Sequence, residues 1–419
     1  MIDVAMCRNL SQLSPEKWCF SLDLLPQPIY LVGGAVRDAL LGRSADYLDL
    51  DFVLPENAIA TARSLAHHYN AGFVILDAQR QIARVVFPQA TIDFARQEGS
   101  SLETDLRRRD FTVNAIAYNP HTQEMIDPLG GCIDLQRHCL RMVSLQNLQD
   151  DPLRLLRAYR QAAQLGFTIE SDTRLAIQTL APHIQHVAAE RVRVELGYLL
   201  AHSQGTLWLQ KAAEDGLIEY WFPNANVNDV TAVDTAAVKL TEIWSQLNIE
   251  LYQSVRDTVK TTWLGIAKLA CLVTPQPETA EAELLRLTYS RAEIRGVTTL
   301  LKLLPQLQAH PLSVREQYFF FQEGGKVFGS IALLAVAKGT SIAAIAPLIN
   351  RYLDPQDPVA HPQLLVTGKD LIQALKIKPS PLVGKLLTAI ALAQAEGEVT
   401  TVDEAIELAA AMLDKKEIL

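Results

Sequence analysis

The sequence predicts an α+β protein, with an α/β part at the N-terminus and an all-helical remainder. Up to about residue 143, short runs of apolar and β-branched residues are bounded by polar turns, as in a small mixed sheet. Beyond about residue 145, apolar residues recur at helical spacing and β-branched alternation becomes rare. A chain of 419 residues is long enough for about two to four domains.

The elements of the N-terminal part follow from these runs. A short helix is expected after Ser14-Pro15, one or two helical turns over Ala35–Leu41, and a longer helix over Ala58–His68. The predicted strands are Ile29–Val32, Leu48–Leu54, Phe73–Leu76, Arg84–Phe87 and Thr91–Phe94.

We expect four segments along the chain. They are a head over 1–143, a helical neck over 144–223, a helical body over 224–355 and a helical tail over 356–419. No internal repeat or low-complexity tract interrupts them. The sheet is thus expected to belong to the head alone.

Breaks and apolar runs support this division. The polar stretch Asn224–Asp234 predicts a linker, and the prolines of Thr274–Pro277 and Asp354–Pro358 predict breaks between later helices. The apolar stretch Val327–Leu348 contains Lys338 and several small residues, so it predicts buried helices rather than a membrane span.

Charge and cysteine content limit the functional classes. A net charge of −9 argues against a general polyanion-binding surface, although a local basic surface is enough to bind RNA. The five cysteines are scattered, without a Cys-x-x-Cys pair or zinc spacing, which favours a reduced, cytoplasmic setting. The first residues lack the apolar core of a signal peptide.

A candidate phosphate site lies between the predicted strand Ile29–Val32 and the predicted helix Ala35–Leu41. Gly33 and Gly34 allow backbone N–H groups to approach a ligand closely, because no Cβ stands in the way. The start of a helix after such a turn favours an anion, and Arg37 adds a positive group beside it.

A candidate metal site follows on the next predicted strand. Asp49 and Asp51 are two residues apart, so both carboxylates lie on one face of the strand. Two adjacent carboxylates repel each other unless a cation lies between them. A phosphate-binding turn together with paired acids indicates metal-assisted phosphoryl or nucleotidyl transfer. Asp93 lies where a later strand could approach the two acids, so it either contributes to this site or simply ends a strand.

The third candidate region is the run Leu106–Ala117. Arg108 and Arg109 could contact triphosphate oxygens, or they could form a solvated charged helix start. Asp110 and Asn114 are four residues apart, so on a helix they would share a face and could hold a ribose hydroxyl.

A fourth region predicts a polar stripe on a helix. Asp151, Arg154, Arg157 and Arg160 recur every three residues after a proline at the helix start. An exposed helix with an Asp cap would give the same pattern.

These motifs together resemble the signature of polymerase-beta-type nucleotidyltransferases, in particular the class II tRNA nucleotidyltransferase and bacterial poly(A) polymerase family. Gly-Gly-x-x-Arg-Asp precedes Asp-x-Asp, Arg-Arg-Asp-Phe-Thr-x-Asn-Ala follows, and Asp151-x-x-Arg154 comes after them. The stretches Asp127–Leu135 and Glu190–Leu196 resemble further family motifs with a bracing role.

The resemblance implies template-independent nucleotide addition to the 3′ end of tRNA. Asp49 and Asp51 would hold two Mg²⁺ ions, while the triphosphate would bind Gly33, Gly34, Arg37 and Arg109. Asp151 and Arg154 would choose the base, because a carboxylate and a guanidinium match the donor and acceptor edge shared by cytosine and adenine. Arg157 and Arg160 would bind phosphate or position the helix, and the tail would hold tRNA.

One departure from the family bears on the product. In full CCA-adding members a flexible loop precedes the Arg-Arg-Asp motif, whereas here Asp93–Leu102 leads almost directly into that motif. The resemblance therefore implies an enzyme that adds CC from CTP, with a separate A-adding enzyme as a possible partner. The alternatives are full CCA addition from CTP and ATP, A addition, poly(A) synthesis, and a catalytically idle RNA-binding module.

Overall fold

A computed structural model describes residues 13–43, 47–256 and 259–414. The chain forms two compact units. The first contains the described residues up to Ala188 together with Glu214–Leu217, and the second contains Ala189–Ala213 and the described residues from Ile218 onward. The α+β class is confirmed, while the four predicted segment boundaries remain predictions.

The first unit is built on a mixed seven-stranded sheet. Its strands are β1 (Tyr30–Val32), β2 (Leu48–Leu54), β3 (Gly72–Asp77), β4 (Ile82–Phe87), β5 (Ala90–Arg96), β6 (Ala117–Asn119) and β7 (Glu124–Ile126). They lie in the order β3-β4-β5-β2-β1-β6-β7. β2 and β5 are parallel and every other neighbouring pair is antiparallel.

The helices of this unit flank the sheet and continue the chain after it. They are α1 (Gly34–Leu40), α2 (Ala58–Tyr69), α3 (Leu102–Leu106), α4 (Gly131–Gln136), α5 (Leu145–Asp150), α6 (Leu153–Leu165) and α7 (Ser171–Leu180). Two-residue strands β8 (Cys139–Leu140) and β9 (Thr168–Ile169) pair in parallel. Short 3₁₀ turns occupy Pro15–Lys17, Leu22–Leu24, Thr112–Asn114 and Ala181–His186.

Aromatic packing buries one face of β2 and β5 in the core of the first unit. Phe52 of β2 stacks on Phe94 of β5, with ring centroids 5.5 Å apart, and meets Trp18 edge to face at 5.4 Å. Phe52 and Phe94 are fully buried. Because strand side chains alternate between faces, the neighbours Asp51 and Asp93 lie on the opposite face of the same two strands.

The second unit is almost entirely helical. Its helices are α8 (Ala189–Ala201), α9 (Gly205–Glu214), α10 (Val227–Ile243), α11 (Ser245–Leu251), α12 (Trp263–Ala270), α13 (Pro277–Arg286), α14 (Arg291–Ala309), α15 (Val314–Gly324), α16 (Phe328–Ala337), α17 (Ile342–Leu353), α18 (Gly368–Leu375), α19 (Pro381–Ala395) and α20 (Val402–Asp414). A hairpin of β10 (Ser254–Arg256) and β11 (Val259–Thr262) and a 3₁₀ turn at Gly325–Val327 complete it.

One helical stretch of this unit, Val314–Ala337, is long and apolar enough to cross a membrane by composition. Two thirds (67%) of its 18-residue apolar window is buried inside the protein, and Phe320, Phe321 and Phe328 pack their rings together in this stretch. It is therefore a core helix, as the sequence predicts for the overlapping run Val327–Leu348.

Three sequence-based expectations need correction. Asn224–Asp234 is largely helical, because Asn226 caps α10 by accepting a hydrogen bond from the Asp229 backbone N–H. Asp110 and Asn114 lie in a turn ending in a short 3₁₀ segment rather than on one α-helix. Strands β6 to β11 are absent from the predicted set, and β9 and the β10–β11 hairpin lie in the part of the chain that was expected to be all-helical. The expectation about the first twelve residues lies outside the described part of the chain.

Candidate active site

The predicted phosphate site is a glycine turn between β1 and α1. Gly33 has φ +74°, a left-handed conformation that favours glycine. A Cβ at Gly33 would lie 3.4 Å from Asp51 Oδ2 and 3.5 Å from Arg109 Nη1. The turn therefore lies directly beside Asp51 and Arg109, and no side chain of Gly33 stands between its backbone and these two residues.

Arg37, one turn into α1, is held from two sides. Its Nε and Nη2 donate to the Asp38 carboxylate at 2.9 and 3.0 Å, and its Nη1 donates to Asn114 Oδ1 at 2.7 Å. Three residues beyond the same helix, Arg43 donates to the backbone carbonyls of Gln164 and Leu165 at the end of α6. These contacts fix α1 against both the Arg-Arg-Asp region and α6.

The two predicted metal-binding acids lie on β2, next to β5. Asp51 faces Asp93 in register, and Asp93 in turn faces Arg84 of β4. Burial and the charges of Asp93 and Asp49 raise the pKa of Asp51 to about 6. Burial, followed by the charge of Asp93, also raises the pKa of Asp49. The surroundings of Asp49 and Asp51 therefore destabilise the ionised form of both carboxylates.

This arrangement fits a divalent cation, because a bound positive charge would relieve the repulsion between the paired acids. Asp93 has a different partner: Arg84 donates to both of its carboxylate oxygens at 2.8 Å. Within the described ranges, no group of three or more His, Cys, Asp or Glu side chains has an arrangement suited to a metal ion. Asp49 and Asp51 therefore remain the candidate ligands.

The two arginines of the Arg-Arg-Asp motif diverge. Arg109 reaches toward Gly33, and its Nη2 donates to Asp105 at 3.2 Å. Its buried Nε has no hydrogen-bond partner in the described part of the chain. Arg108 is largely exposed and forms an ion pair with Glu98 at 2.5 Å. The geometry thus supports a ligand role for Arg109 more directly than for Arg108.

Asp110 and Asn114 form the floor of the site. Both are buried, and Asn114 Nδ2 donates to Asp110 Oδ1 at 2.9 Å. Asp110 also accepts from the Phe111 backbone N–H at 2.8 Å and from Arg157 Nη1 at 3.4 Å. The turn therefore brings the two side chains together as expected, although it is not an α-helix.

The polar stripe on α6 forms the other wall. Arg154 donates to the backbone carbonyl of Asn147 at 2.9 Å and lies 3.9 Å from Asp151. Arg160 donates to Gln164 at 2.9 Å. Asn147 is itself buried and donates to the carbonyls of Arg107 and Arg109 at 2.7 Å each. Hydrogen bonds of Asn147 thus connect the polar stripe on α6 with the Arg-Arg-Asp region.

Most of the predicted residues border one cleft of about 400 Å³. Its lining residues are Gly33, Gly34, Arg37, Arg109, Asp110, Asn114, Arg154, Arg157, Arg160 and Gln161. Asp49, Asp51, Arg108 and Asp151 are outside this lining, although Gly33 lies next to Asp51. Gln161 was not expected from the sequence, because no motif marks it.

The stretch that begins at Asp127 packs against the turn that carries Asp110 and Asn114. Asp127 accepts from the backbone N–H groups of Gly131 and Cys132 at 2.8 Å. Gly131 packs so closely on Thr112 that an added Cβ would lie 2.3 Å from the Thr112 carbonyl oxygen. Asp134 accepts from the Thr112 hydroxyl at 2.5 Å and from Arg141 Nε at 2.9 Å. This is the structural role expected for the motif.

Three protein families match successive parts of the chain. The poly A polymerase head domain matches residues 29–141, which contain the sheet and the glycine turn. A probable RNA and SrmB-binding site of polymerase A matches residues 166–228, and a putative tRNA nucleotidyltransferase domain 2 matches residues 257–410.

The chain is 51% identical to a CC-adding tRNA nucleotidyltransferase from Synechocystis, over 93% of this chain and 95% of that protein. The chain belongs to the tRNA nucleotidyltransferase family. An A-adding tRNA nucleotidyltransferase from Deinococcus radiodurans is 33% identical, over 91% of this chain and 94% of the relative. The family resemblance and the enzyme class expected from the sequence are confirmed.

The fold agrees with this membership. A CCA-adding enzyme solved in an apo form superposes with a TM-score of 0.73 at 21% identity, over 98% of this chain and 93% of that chain. A sheet-containing head followed by helices is thus the architecture of this tRNA nucleotidyltransferase as well.

Proposed function

We propose that this tRNA nucleotidyltransferase adds two CMP residues from CTP to the 3′ end of tRNA, releases pyrophosphate and stops. The observation that carries the proposal is the convergence of a glycine turn, Arg109 and an arginine-lined helix on one cleft, with Asp51 directly beside the turn. The product named for the Synechocystis relative supports CC addition over its alternatives.

In the proposed mechanism, the glycine turn, Arg37 and Arg109 bind the triphosphate of CTP. Their positive groups would hold the phosphates in line for attack by the 3′-hydroxyl of tRNA. Asp49 and Asp51 would hold Mg²⁺, and bound Mg²⁺ supplies charge stabilisation and a lowered pKa for the attacking hydroxyl. Asp151 and Arg154 would select the base, with Asp110 and Asn114 near the ribose.

Base selection by Asp151 and Arg154 has a simple chemical basis. A carboxylate accepts a hydrogen bond from the exocyclic amino group of cytosine, and a guanidinium donates to the adjacent ring nitrogen. Uracil presents the reverse pattern, so a mismatch would leave buried polar groups unpaired at a cost of roughly 1–3 kcal/mol each.

The short connection before the Arg-Arg-Asp region supports the stop after two cytidines. Only residues 97–101 separate β5 from α3, and the backbone of the first two is held by hydrogen bonds. Gln97 N–H donates to the Leu54 carbonyl at 2.8 Å, and Glu98 N–H donates to Asp105 Oδ1 at 3.0 Å. A segment held this way has little freedom to reshape the pocket for a purine.

The deciding experiment is nucleotide incorporation on a tRNA transcript that lacks its 3′ CCA. Purified protein and Mg²⁺ receive CTP alone, ATP alone, and both, and products are resolved at single-nucleotide length. We expect two cytidines in the first and third reactions and no extension in the second. Extension to CCA with both nucleotides would contradict the CC proposal, and extension by ATP alone would indicate A addition or poly(A) synthesis.

A further inference from the structure

Gln161 is a buried side chain in the cleft to which neither the motifs nor the proposed mechanism assigns a role. It lies about two turns along α6 from Arg154 and is only 5% exposed. Its Oε1 accepts a hydrogen bond from Asn114 Nδ2 at 3.0 Å. Its Nε2 makes no hydrogen bond to any described residue and is not sealed from the cleft.

The orientation of this amide is fixed by its neighbours. Arg37 can only donate, so the atom of Asn114 that faces it is Oδ1. The Asn114 Nδ2 group then donates to Asp110 and to Gln161. Gln161 must therefore present its oxygen to Asn114, which leaves its N–H groups directed away from this network.

The cleft thus offers a carboxylate that accepts and an amide that donates. Asp110 and Gln161 both border it and share Asn114 as a hydrogen-bond partner. A phosphate oxygen or a base carbonyl only accepts, so it would suit Gln161 but not Asp110. A hydroxyl both donates and accepts, and it is the group that satisfies the two side chains together.

We infer that Gln161 Nε2 donates a hydrogen bond to a ribose hydroxyl of the incoming nucleotide, and that this hydroxyl donates to Asp110. Gln161 is then a specificity-determining residue for ribonucleotides over deoxyribonucleotides. The inference rests on the proposed function insofar as the ligand is a ribonucleoside triphosphate.

The test compares nucleotide binding by the full chain and its Gln161→Glu and Gln161→Leu variants. Gln161→Glu keeps an oxygen for Asn114 but removes the donor, whereas Gln161→Leu removes both. Gln89→Glu makes the same charge change on the exposed turn between β4 and β5 and is the matched control. Dissociation constants for CTP, 2′-deoxy-CTP and 3′-deoxy-CTP are measured by calorimetry with Mg²⁺, without tRNA.

We expect each Gln161 variant to lose about tenfold more affinity for CTP than for the analogue that lacks the contacted hydroxyl, as for one lost hydrogen bond. For one analogue, the ratio of CTP affinity to analogue affinity should fall toward one in the variants. The hydroxyl that this analogue lacks, 2′ or 3′, is the one that Gln161 contacts. The carboxylate introduced by Gln161→Glu repels the triphosphate of all three nucleotides equally, so this effect cancels in the ratio. Gln89→Glu should leave every ratio unchanged.

Unchanged ratios for both analogues in both variants would overturn the inference and leave Gln161 a purely structural residue. A wild-type chain that binds none of the three nucleotides would overturn it as well. Failure of the proposed function is seen separately: the chain would bind CTP with a Gln161-dependent ratio but would not add two cytidines to tRNA.

Discussion

The two walls of the cleft are held in place by different means. On the sheet side, Gly33 depends on a backbone conformation with positive φ, and the neighbouring Asp51, just outside the cleft lining, depends on strand register. On the helix side, Arg154 and Arg157 depend on side-chain hydrogen bonds to a carbonyl and to Asp110. Backbone geometry therefore fixes the wall proposed for chemistry, and side-chain pairing fixes the wall proposed for base choice.

This difference predicts two kinds of variant. A change on the sheet side alters positions that the rest of the structure cannot readjust, so it should reduce turnover with every nucleotide. A change on α6 removes one side chain from a wall that otherwise keeps its shape. It should therefore change the preference between nucleotides more than it changes the turnover rate.

The largest effect is expected for Asp51→Asn. Loss of one of the two candidate metal ligands should lower turnover about 10³-fold or more, while tRNA affinity stays within about twofold because that surface is unchanged. Single-turnover incorporation and filter binding measure the two quantities. Glu56→Gln, an exposed change just beyond the end of β2, is the control, and near-normal turnover by Asp51→Asn would refute the assignment.

The next effect is expected for Gly33→Ala. The added methyl group would be strained at φ +74° and would lie 3.4 Å from Asp51 Oδ2, so turnover should fall by about 10- to 100-fold. Gly325→Ala is a matched control, because Gly325 has φ +45° and ψ −130°, close to the φ +74° and ψ −136° of Gly33, but nothing within 4 Å of an added Cβ. It should lose about 1–3 kcal/mol of stability with turnover retained. Equal losses of turnover in both variants would mean that strain alone is responsible.

Arg154→Ala tests the helix side. We expect the preference for CTP over UTP to fall by about tenfold, as for one lost discriminating contact, with tRNA affinity little changed. Competition between the two nucleotides on one tRNA transcript measures the ratio. Arg107→Ala removes an exposed arginine paired with Glu103 and should leave the ratio intact. An unaltered ratio in Arg154→Ala would remove this residue from base selection.

The sequence predicts the site positions that the backbone fixes better than those that depend on side-chain partners. Gly33, Asp49 and Asp51 carry local signals, because a glycine pair between strand and helix and an alternating acid pair each have a direct backbone meaning. Arg108 carries the same local signal as Arg109, yet it pairs with Glu98 away from the cleft. Which of two adjacent arginines reaches a site depends on tertiary partners.

Gln161 and Asn226 illustrate the same limit. A glutamine inside a helix gives no pattern of its own, and its role arises only because Asn114, 47 residues earlier in the chain, lies beside it. Asn226 lies in a polar stretch typical of linkers, but it caps a helix that is buried on one face through Val230, Val233 and Leu240. Burial provided by neighbouring helices outweighs local polarity there.

The smallest effect is expected for Asp93→Asn, which sharpens the distinction between ligands and neighbours on the sheet side. Asp93 raises the pKa of Asp51 by its charge, but both of its oxygens are engaged by Arg84. Neutralising it frees Arg84 as a positive charge beside the acid pair, which should weaken Mg²⁺ binding by a few-fold through charge competition.

This loss should be recovered by raising the Mg²⁺ concentration, because the proposed ligands Asp49 and Asp51 remain. Incorporation rates across a Mg²⁺ titration, with wild type and Asp51→Asn alongside, measure the shift. Arg84→Leu in the Asp93→Asn background removes the competing charge and should restore the wild-type titration. If Asp93→Asn instead lowers the incorporation rate as much as Asp51→Asn does, and added Mg²⁺ does not restore it, Asp93 would be a third metal ligand. Arg84 would then be the partner of Asp93 only when no metal is bound.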